Sequence, residues 1–452
     1  MIGQWRLSDL REALQGECRG DSEFARVSTD TRQLVPGDLF VALSGPNFDG
    51  NRFVPQAAAS GACAAVVTDW QASELPQLRV ADTQQALGQL GALNRSRFQH
   101  PLVAVTGSSG KTSVKEMLAE VLRTRGVVHA TRGNLNNHIG VPLTLLELDD
   151  AHRYGVIELG ASAAGEIAYT VGLTRPQVAI LNNAGGAHLE GFGSLEGVVR
   201  AKGEIFDGLD SDGVGVVNLD DPHAEVWLEQ LRGKRALTFS LKSAAADLFA
   251  SHLEPGSDGC YRFVLNTHSD QVAVALSVVG RHAVSNGLAA AAAAFALGFT
   301  LAEIATGLER FVGVPGRLRV MRGRGGVRLI DDSYNANPES VKAAVRVLAD
   351  LPGPRVLVLG NMAELGADSE ALHADIGRYA AAHGVNQLVA VGRLAANAAH
   401  AFGADAPCFD DCAAASAWLQ NTISDDSVVL VKGSRSAHME DVIKALFDEE
   451  NR

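Results

Sequence analysis

The chain has 452 residues, of which 46% are hydrophobic and 20% charged, and its net charge at pH 7 is −13. This length exceeds what one hydrophobic core serves, so we expect two to four domains of a soluble globular protein. The negative charge, without any run of Lys or Arg, argues against a nucleic-acid partner. The five cysteines form no C-x-x-C pair, and their odd number disfavours a disulfide framework, so a reducing cytoplasmic location is expected. No apolar signal segment or membrane span is predicted.

Residues 1–84 are predicted to form a small α/β domain, with strands at 39–43 and 64–68 and a helix at 53–61. One segment of this domain is dense in hydroxyls, with an acid and an arginine, and could contact a sugar or a pyrophosphate. A structural turn capped by such side chains explains the same residues, so both interpretations stay open. The segment consists of Ser28, Thr29, Asp30, Thr31 and Arg32.

The second predicted domain, 85–314, is organised around a strand at 102–105, a glycine-rich turn and an amphipathic helix from 114 onward. Such a turn directs backbone N–H groups and the positive end of the helix dipole at one anion. We therefore predict a phosphate-binding P-loop, with Lys111 on the β/γ-phosphates and Thr112 on Mg²⁺. Its glycines are closer together than in the common nucleotide pattern, and an ordinary strand-to-helix turn would also contain them. The turn residues are Gly107, Ser108, Ser109, Gly110, Lys111, Thr112 and Ser113.

Three further residues of this domain are candidate metal ligands. Glu158 ends a predicted strand, at the edge of an α/β sheet where ligands bind. His188 follows the next strand, at 177–181, and Lys202 lies on a predicted helix at 194–206. A solvated glutamate and a surface histidine are the alternatives for the first two.

Lys202 shares the apolar face of its helix with Val198 and Ile205. A lysine in that position has to reach water, bind an anion or lose its charge. The sequence leaves two alternatives open: the ammonium contacts phosphate oxygens, or CO₂ carbamylates the nitrogen and reverses its charge.

Two other groups of polar side chains stand at predicted turns. The segment 133–142, predicted as a loop, contains Asn136 and Asn137, whose amides suit a phosphate or a peptide, although structural turns are also rich in asparagine. We interpret 208–276 as short β-like runs with a structural role. A Pro/Gly hinge at 313–317 precedes the third predicted domain.

The third domain, 315–452, is again predicted to be α/β. Its predicted strands lie at 328–332, 355–359, 388–391 and 427–431. Hydrogen-bonding side chains at 331–338 and positive charge at 432–435 follow two of these strands. Both groups are therefore expected at a strand end, where α/β proteins bind ligands.

Taken together, these segments resemble the Mur ligase family over essentially the whole chain. The resemblance rests on the P-loop and on 133–144, 182–193, 200–205, 331–338 and 432–435. It implies a three-domain α/β fold with a small N-terminal domain, a central P-loop domain on a mostly parallel sheet and a C-terminal Rossmann-like domain. It also implies that a cytoplasmic monomer uses ATP to join D-Ala-D-Ala to UDP-N-acetylmuramoyl tripeptide through an acyl phosphate. That reaction is the last cytoplasmic ligation toward the peptidoglycan pentapeptide precursor.

The resemblance implies specific ligands for two Mg²⁺ ions. Thr112 and Glu158 would hold the first, beside the ATP phosphates gripped by Lys111. His188 and a carbamylated Lys202 would hold the second, beside the tripeptide carboxylate.

The resemblance also implies contacts for the rest of the nucleotide and for the sugar substrate. Asn286 would contact adenine, while Arg317 and Asp332 would reach the ribose or the γ-phosphate. Asp331 is the neighbouring alternative to Asp332. The segment 28–32 would bind the uridine or pyrophosphate end of the substrate.

Two other functions are compatible with part of this pattern. A related ligase, such as the one that adds the third residue or a folylpolyglutamate synthase, would share the fold. The former should carry an Asp-Asn-Pro-Arg motif, which does not occur in the sequence. A P-loop nucleotide switch is the second alternative, but it leaves Lys202 and the third domain without a role.

Overall fold

The structure, a computed structural model, describes residues 1–45, 48–185 and 189–447. These residues form two compact units, Met1–Phe249 with Leu288–Gly307 and Ala250–Gly287 with Leu308–Arg452. Three elements contain the points where the chain passes between units: strand Leu248–Pro255 and helices Arg281–Ala296 and Leu301–Arg310. Within the described ranges, no helix has both the length and the apolar character needed to cross a membrane. The domain limits 1–84, 85–314 and 315–452 stay a prediction.

The N-terminal part of the first unit is built on a five-stranded sheet. In sheet order its strands are Glu17–Arg19, Gln77–Arg79, Ala64–Val67, Leu39–Val41 and Val27–Ser28. The first two pair antiparallel and the other neighbours pair in parallel. Apolar cores cover both faces, so the two strands predicted near 39 and 64 are buried throughout. The remaining elements are helices Leu10–Ala13, Val54–Ala59 and Thr83–Arg97 and strand pairs Trp5–Arg6 with Glu23–Phe24 and Ser44–Gly45 with Phe48–Asp49.

The middle of the first unit is a parallel sheet that carries the P-loop. Its strands in sheet order are Val128–Ala130, Tyr154–Glu158, Leu102–Thr106, Val178–Leu181, Val214–Asn218 and Arg235–Ser240, and the last pairs with the start of Leu248–Pro255. The register pairs Val105 with Glu158 and Thr106 with Leu181. Parallel strands end at the same edge of a sheet. The start of the P-loop, Glu158 and the start of the loop after Leu181 therefore lie next to one another at that edge.

Helices connect these strands, as parallel pairing requires. They are Lys111–Leu122, Gly140–Leu146, Glu166–Thr174, Leu189–Phe192, Leu195–Gly203 and Ala224–Gln230, and the 3₁₀ turn Glu204–Gly208 follows the fifth. The P-loop helix, Lys111–Leu122, confirms the predicted apolar face, since Val114, Met117 and Leu118 are buried. It begins after Gly110, whose φ of 79° lies in the left-handed region that favours glycine.

Two segments differ from their sequence predictions. The predicted loop 133–142 becomes helical at Gly140. Oδ1 of Asn137 accepts the N–H groups of Ile139 and Gly140 where the loop enters that helix. The segment 208–276 does contain strands, but Val214–Asn218, Arg235–Ser240 and the start of Leu248–Pro255 extend the parallel sheet. The helix Ala224–Gln230 between the first two of these strands was not predicted.

The second unit contains an antiparallel pair, Cys260–Asn266 with Gln271–Val279, and a six-stranded sheet. The sheet order is Arg319–Arg322, Arg328–Asp332, Val428–Lys432, Arg355–Gly360, Gln387–Val391 and Cys408–Phe409. The first pair is antiparallel and the rest are parallel, which confirms the four predicted strands. Helices Pro338–Ala349, Ser369–Ala382, Ala396–Phe402, Cys412–Thr422 and Glu440–Leu446 accompany it, and apolar cores lie on both faces.

Candidate active site

The P-loop turn joins a buried strand to a helix N-terminus, as the sequence predicts. Lys111 folds back on the turn, and its Nζ donates to the carbonyl oxygen of Gly107 at 2.7 Å. Ser108 and Ser113 are half-buried, whereas Ser109 is exposed. The first N–H groups of a helix have no partner within it, so this end of the helix and Lys111 both favour a bound anion.

The turn is fastened to the loop that follows Leu181. The backbone N–H of Ser108 donates to the carbonyl oxygen of Asn183 at 3.0 Å. The N–H of Ser109 donates to Oδ1 of the same asparagine at 2.9 Å. A carboxamide oxygen therefore accepts one of the N–H groups that a P-loop offers to phosphate.

Glu158 lies beside the P-loop helix and is only 2% exposed. Its Oε2 accepts a hydrogen bond from Oγ1 of Thr112 at 2.9 Å, and its Oε1 accepts one from Nδ2 of Asn136 at 2.8 Å. The fold thus brings together three predicted site residues from three separate segments.

This donor set fits Mg²⁺ bound together with a nucleotide. A buried hydroxyl and a buried carboxylate are hard oxygen donors, and Mg²⁺ commonly takes one or two protein carboxylates, with phosphate oxygens and water completing its octahedron. Among the residues that the structure describes, no three His, Cys, Asp or Glu side chains cluster closely enough to hold a metal by themselves. The predicted Thr112 and Glu158 pair is therefore suited to a metal that arrives with phosphate.

Lys202 is 2% exposed, which confirms that it lies on the buried face of the helix Leu195–Gly203. Its Nζ lies 5.7 Å from the centroid of the Phe192 ring, and among the described residues no carboxylate contributes to its electrostatics. Burial, and secondarily the charge of Lys111, lower the pKa of Lys202 from 10.5 to about 7. The side chain is thus held near its point of deprotonation at neutral pH.

His188, the third candidate metal ligand, lies outside the described residues. The structure describes the loop before it up to Gly185, which is fixed by a hydrogen bond from its N–H to Oγ of Ser108 at 2.8 Å. The role of His188 stays a prediction.

The N-terminal segment 28–32 folds on itself as a turn. The guanidinium of Arg32 donates to Oδ2 of Asp30 at 2.7 Å and lowers the pKa of that carboxyl to about 2. Oγ of Ser28 accepts the N–H of Asp30 at 3.2 Å, and Thr29 and Thr31 are half-buried. These contacts agree with the structural-turn interpretation, and a substrate role stays a prediction.

In the second unit, one candidate aspartate binds the predicted hinge and the other binds the residue that directly follows it. Oδ2 of Asp331 accepts the N–H of Gly316 at 2.7 Å, and Oδ1 of Asp332 accepts the N–H of Leu318 at 3.2 Å. Asp332 also forms a buried ion pair with Lys432, whose Nζ lies 2.6 Å from Oδ2. Both carboxylates therefore have structural partners.

The other two predicted nucleotide contacts also lie on the second unit. The guanidinium of Arg317 stacks on the ring of Tyr334, with 4.2 Å between its central carbon and the ring centroid. Asn286 is buried in the helix Arg281–Ala296. Their roles toward ATP stay predictions.

Three residues around this site were not predicted. Asn183 accepts an N–H of the P-loop, Thr131 accepts the N–H of Glu158, and Lys115 donates to the carbonyl oxygen of Thr131. Lys115 could have been found by the reasoning applied to Lys202. It stands three residues before Leu118, and this spacing places it on the apolar face of its helix. The two others could not be selected from many similar polar residues, because their contacts depend on the order of the strands.

Three family models match successive parts of the chain. The Mur ligase family catalytic domain matches residues 23–95, the Mur ligase middle domain matches 105–294, and the Mur ligase glutamate ligase domain matches 316–435. The middle model contains the P-loop, Glu158 and Lys202. The third model begins in the predicted hinge.

Relatives and solved structures agree with these models. The UDP-N-acetylmuramoyl-tripeptide–D-alanyl-D-alanine ligase of Escherichia coli is 47% identical over 97% of this chain and 98% of its own length. The ligase of the same name from Bacillus subtilis is 33% identical over 93% of each. A crystal structure of MurF from Acinetobacter baumannii has a TM-score of 0.90 at 39% identity over 98% of both chains. MurF from Thermotoga maritima in complex with ADP has a TM-score of 0.83 at 28% identity, over 93% of this chain and 96% of that chain. These matches show that the chain belongs to the Mur ligase family, with the three-part α/β architecture of its enzymes.

Proposed function

We propose that the protein is an ATP-dependent ligase that joins D-alanyl-D-alanine to UDP-N-acetylmuramoyl tripeptide. The observation that carries the proposal is the 2.9 Å hydrogen bond between Thr112 and Glu158, because it unites a P-loop hydroxyl and a buried carboxylate at one sheet edge. Relatives named for this reaction match the chain almost from end to end, which supports this substrate pair. The protein would act in the cytoplasm as a monomer, at the last ligation of the peptidoglycan precursor.

The reaction has two steps. A carboxylate oxygen of the tripeptide attacks the γ-phosphorus of ATP, the bond from that phosphorus to the β,γ-bridging oxygen breaks, and an acyl phosphate and ADP form. The amine of D-alanyl-D-alanine then attacks the acyl carbon, phosphate leaves, and the nitrogen loses a proton as the amide forms. Lys111 and the N-terminus of the P-loop helix stabilise the charge on the phosphates.

Two Mg²⁺ sites belong to this proposal. Thr112 and Glu158 would hold one ion, and His188 with a modified Lys202 would hold the other. When bound, Mg²⁺ supplies positive charge that neutralises phosphate oxygens. The amide of Asn136 orients Glu158 by donating to the oxygen that Thr112 does not use.

We infer that Lys202 is carbamylated. Its low pKa keeps a large fraction of the amine unprotonated at neutral pH, and an unprotonated amine attacks CO₂. The neutral amine nitrogen bonds to the carbon of CO₂ while one C=O π bond opens, the nitrogen releases one proton, and a carbamate with negative charge takes the place of the neutral amine. The change of sign matters beside a metal, because an ammonium ~4 Å from Mg²⁺ would be repelled by roughly 8 kcal/mol at an effective dielectric constant of ~20.

Carbamylation and the alternative, an ammonium that contacts phosphate, give different spectra. Protein equilibrated with ¹³C-bicarbonate should show a carbamate ¹³C resonance that is missing in Lys202→Ala. A short carboxylic acid should restore part of the activity of that variant. If the resonance is absent from the wild type and no acid restores the variant, the ammonium contact is the better interpretation.

The remaining site residues have proposed roles in substrate binding. Asn286 would contact adenine, and Arg317 with Asp332 or Asp331 would contact the ribose or the γ-phosphate. Residues 28–32 would bind the uridine or pyrophosphate end. Asn136 and Asn137 would approach the phosphate or the peptide.

The direct test is release of phosphate from ATP in the presence of UDP-N-acetylmuramoyl tripeptide. Release should depend on D-alanyl-D-alanine, and the product should gain the mass of the dipeptide less one water. D-Alanine alone, glutamate and diaminopimelate serve as controls that separate this enzyme from related ligases. Phosphate release that is indifferent to the dipeptide would refute the proposal and favour a nucleotide switch.

A further inference from the structure

Lys115 is a buried charge to which the proposed reaction gives no role. It lies on the P-loop helix, three residues after Thr112, and is 1% exposed. Its Nζ donates to the carbonyl oxygen of Thr131 at 2.5 Å and lies 2.9 Å from Oε1 of Glu116. A buried ammonium is costly unless it is paired and hydrogen-bonded, so these contacts fix the position of the Lys115 ammonium group.

Thr131 connects this lysine to the neighbouring strand. It directly follows the strand Val128–Ala130 and is 1% exposed. Its N–H donates to the carbonyl oxygen of Val156 at 3.0 Å, which continues the ladder of the sheet. Its hydroxyl oxygen accepts the N–H of Glu158 at 2.9 Å, so the side chain of Thr131 holds the backbone of the glutamate.

These contacts close a ring that starts and ends on the P-loop helix. Lys115 holds Thr131, Thr131 holds the backbone of Glu158, and the Glu158 carboxylate accepts from Thr112 on the same helix. Thr131 also directly precedes the loop that carries Asn136, the second donor to this carboxylate. Glu158 is thus fixed at its backbone and at both carboxylate oxygens.

We propose that Lys115 and Thr131 are positioning residues that set the Glu158 carboxylate against the P-loop for Mg²⁺–ATP. The inference rests on the proposed metal site at Thr112 and Glu158. Partners behind a metal ligand fix its orientation and govern metal affinity, while phosphate contacts made by the P-loop itself do not need them. Loss of either residue should therefore weaken ATP binding in the presence of Mg²⁺ more than without it.

The test compares Thr131→Val with Thr131→Ser by calorimetric titration with ATP, without tripeptide, in Mg²⁺ and in EDTA. Thr131→Val has the shape of threonine but no acceptor for the Glu158 N–H, whereas Thr131→Ser retains it. We expect Thr131→Val to bind ATP roughly tenfold more weakly in Mg²⁺ and nearly unchanged in EDTA, and Thr131→Ser to match the wild type in both.

Lys115→Met provides a second, independent comparison, and it decides the question if Thr131→Val does not fold. Its control is Lys234→Met, because Nζ of Lys234 also donates to carbonyl oxygens, those of Phe206 at 3.1 Å and Leu209 at 2.7 Å. We expect the Mg²⁺-dependent loss in Lys115→Met and not in Lys234→Met.

Equal Mg²⁺–ATP affinity of Thr131→Val and Thr131→Ser would overturn the positioning role, as would a loss of the same size in EDTA. A wild-type protein whose ATP affinity is the same with and without Mg²⁺ would instead refute the proposed metal site itself. The wild-type titration therefore separates failure of this inference from failure of the proposed function.

Discussion

Replacing Lys202 with methionine should stabilise the protein in a way that depends on pH. Methionine has a similar length and no charge, so the change removes the cost of burying an ammonium in an apolar site. The site is 2% exposed, and the described residues supply no carboxylate to offset that cost.

The magnitude follows from the pKa of Lys202, which burial lowers from 10.5 to about 7. At about 1.4 kcal/mol for each pH unit, this difference corresponds to about 5 kcal/mol. Below pH 7 the folded and unfolded states both carry the proton, and the folded state bears the full cost. Between pH 7 and 10.5 the unfolded state binds more protons, so the wild type gains stability relative to the variant as pH rises. The advantage of Lys202→Met should fall from about 5 kcal/mol at pH 6 to about 2 kcal/mol at pH 9.

Urea unfolding in CO₂-free buffer without nucleotide measures this difference. The indole of Trp227 donates to the carbonyl oxygen of Val199 at 3.2 Å, on the helix that carries Lys202. A background in which Trp5, Trp70 and Trp418 are replaced by phenylalanine makes the fluorescence report on that helix.

The control is Lys444→Met, since Lys444 is 72% exposed at its side chain and pairs with Asp441. A hydrogen bond to Asp441 raises the pKa of Lys444, so its charge does not change between pH 6 and 9. Its stability difference from the wild type should stay constant over that range. If methionine packs imperfectly at position 202, the stability difference between Lys202→Met and the wild type changes by the same amount at every pH. Its dependence on pH is then unaltered. A stability difference for Lys202→Met that is independent of pH would refute the conclusion that the lysine is buried as an unpaired charge.

Three other substitutions test the site and the packing around it. Glu158→Gln removes the charge of the proposed Mg²⁺ ligand and should weaken ATP binding in Mg²⁺ by roughly 10–100-fold, with little change in EDTA, as calorimetry would show. Gly307→Ala should destabilise the first unit by about 1–3 kcal/mol in urea unfolding, because the new Cβ would lie 2.3 Å from a Cα atom of the P-loop helix. Its control, Gly172→Ala, meets no atom within 4 Å and should be neutral or slightly stabilising. Lys432→Met leaves Asp332 buried without its ion-pair partner and should lower the free energy of unfolding by about 3–5 kcal/mol in the same assay. Adding Asp332→Asn to that variant should restore part of the lost stability.

Local features of the sequence determined the parts of the candidate site that lie within single elements. The strand before the P-loop, the helix after it and the buried position of Lys202 all follow from the spacing of apolar residues, which reflects how one helix or strand meets its core. The position of Glu158 at the end of a strand also follows from the residues of that strand alone. These predictions are confirmed by the buried positions of the elements.

Only the tertiary structure decided which of these elements meet. The strand that ends at Glu158 and the strand that ends at Leu181 lie on either side of the P-loop strand, and the periodicity of a segment does not encode its place in a sheet. The partners of Asp332 and Glu158 depend on that order: Lys432 lies 100 residues from Asp332, and Thr112 lies 46 residues from Glu158. Lys115 shows the same limit, because its helical face was readable in the sequence, whereas its acceptor on Thr131 exists only once two strands have paired beside the helix.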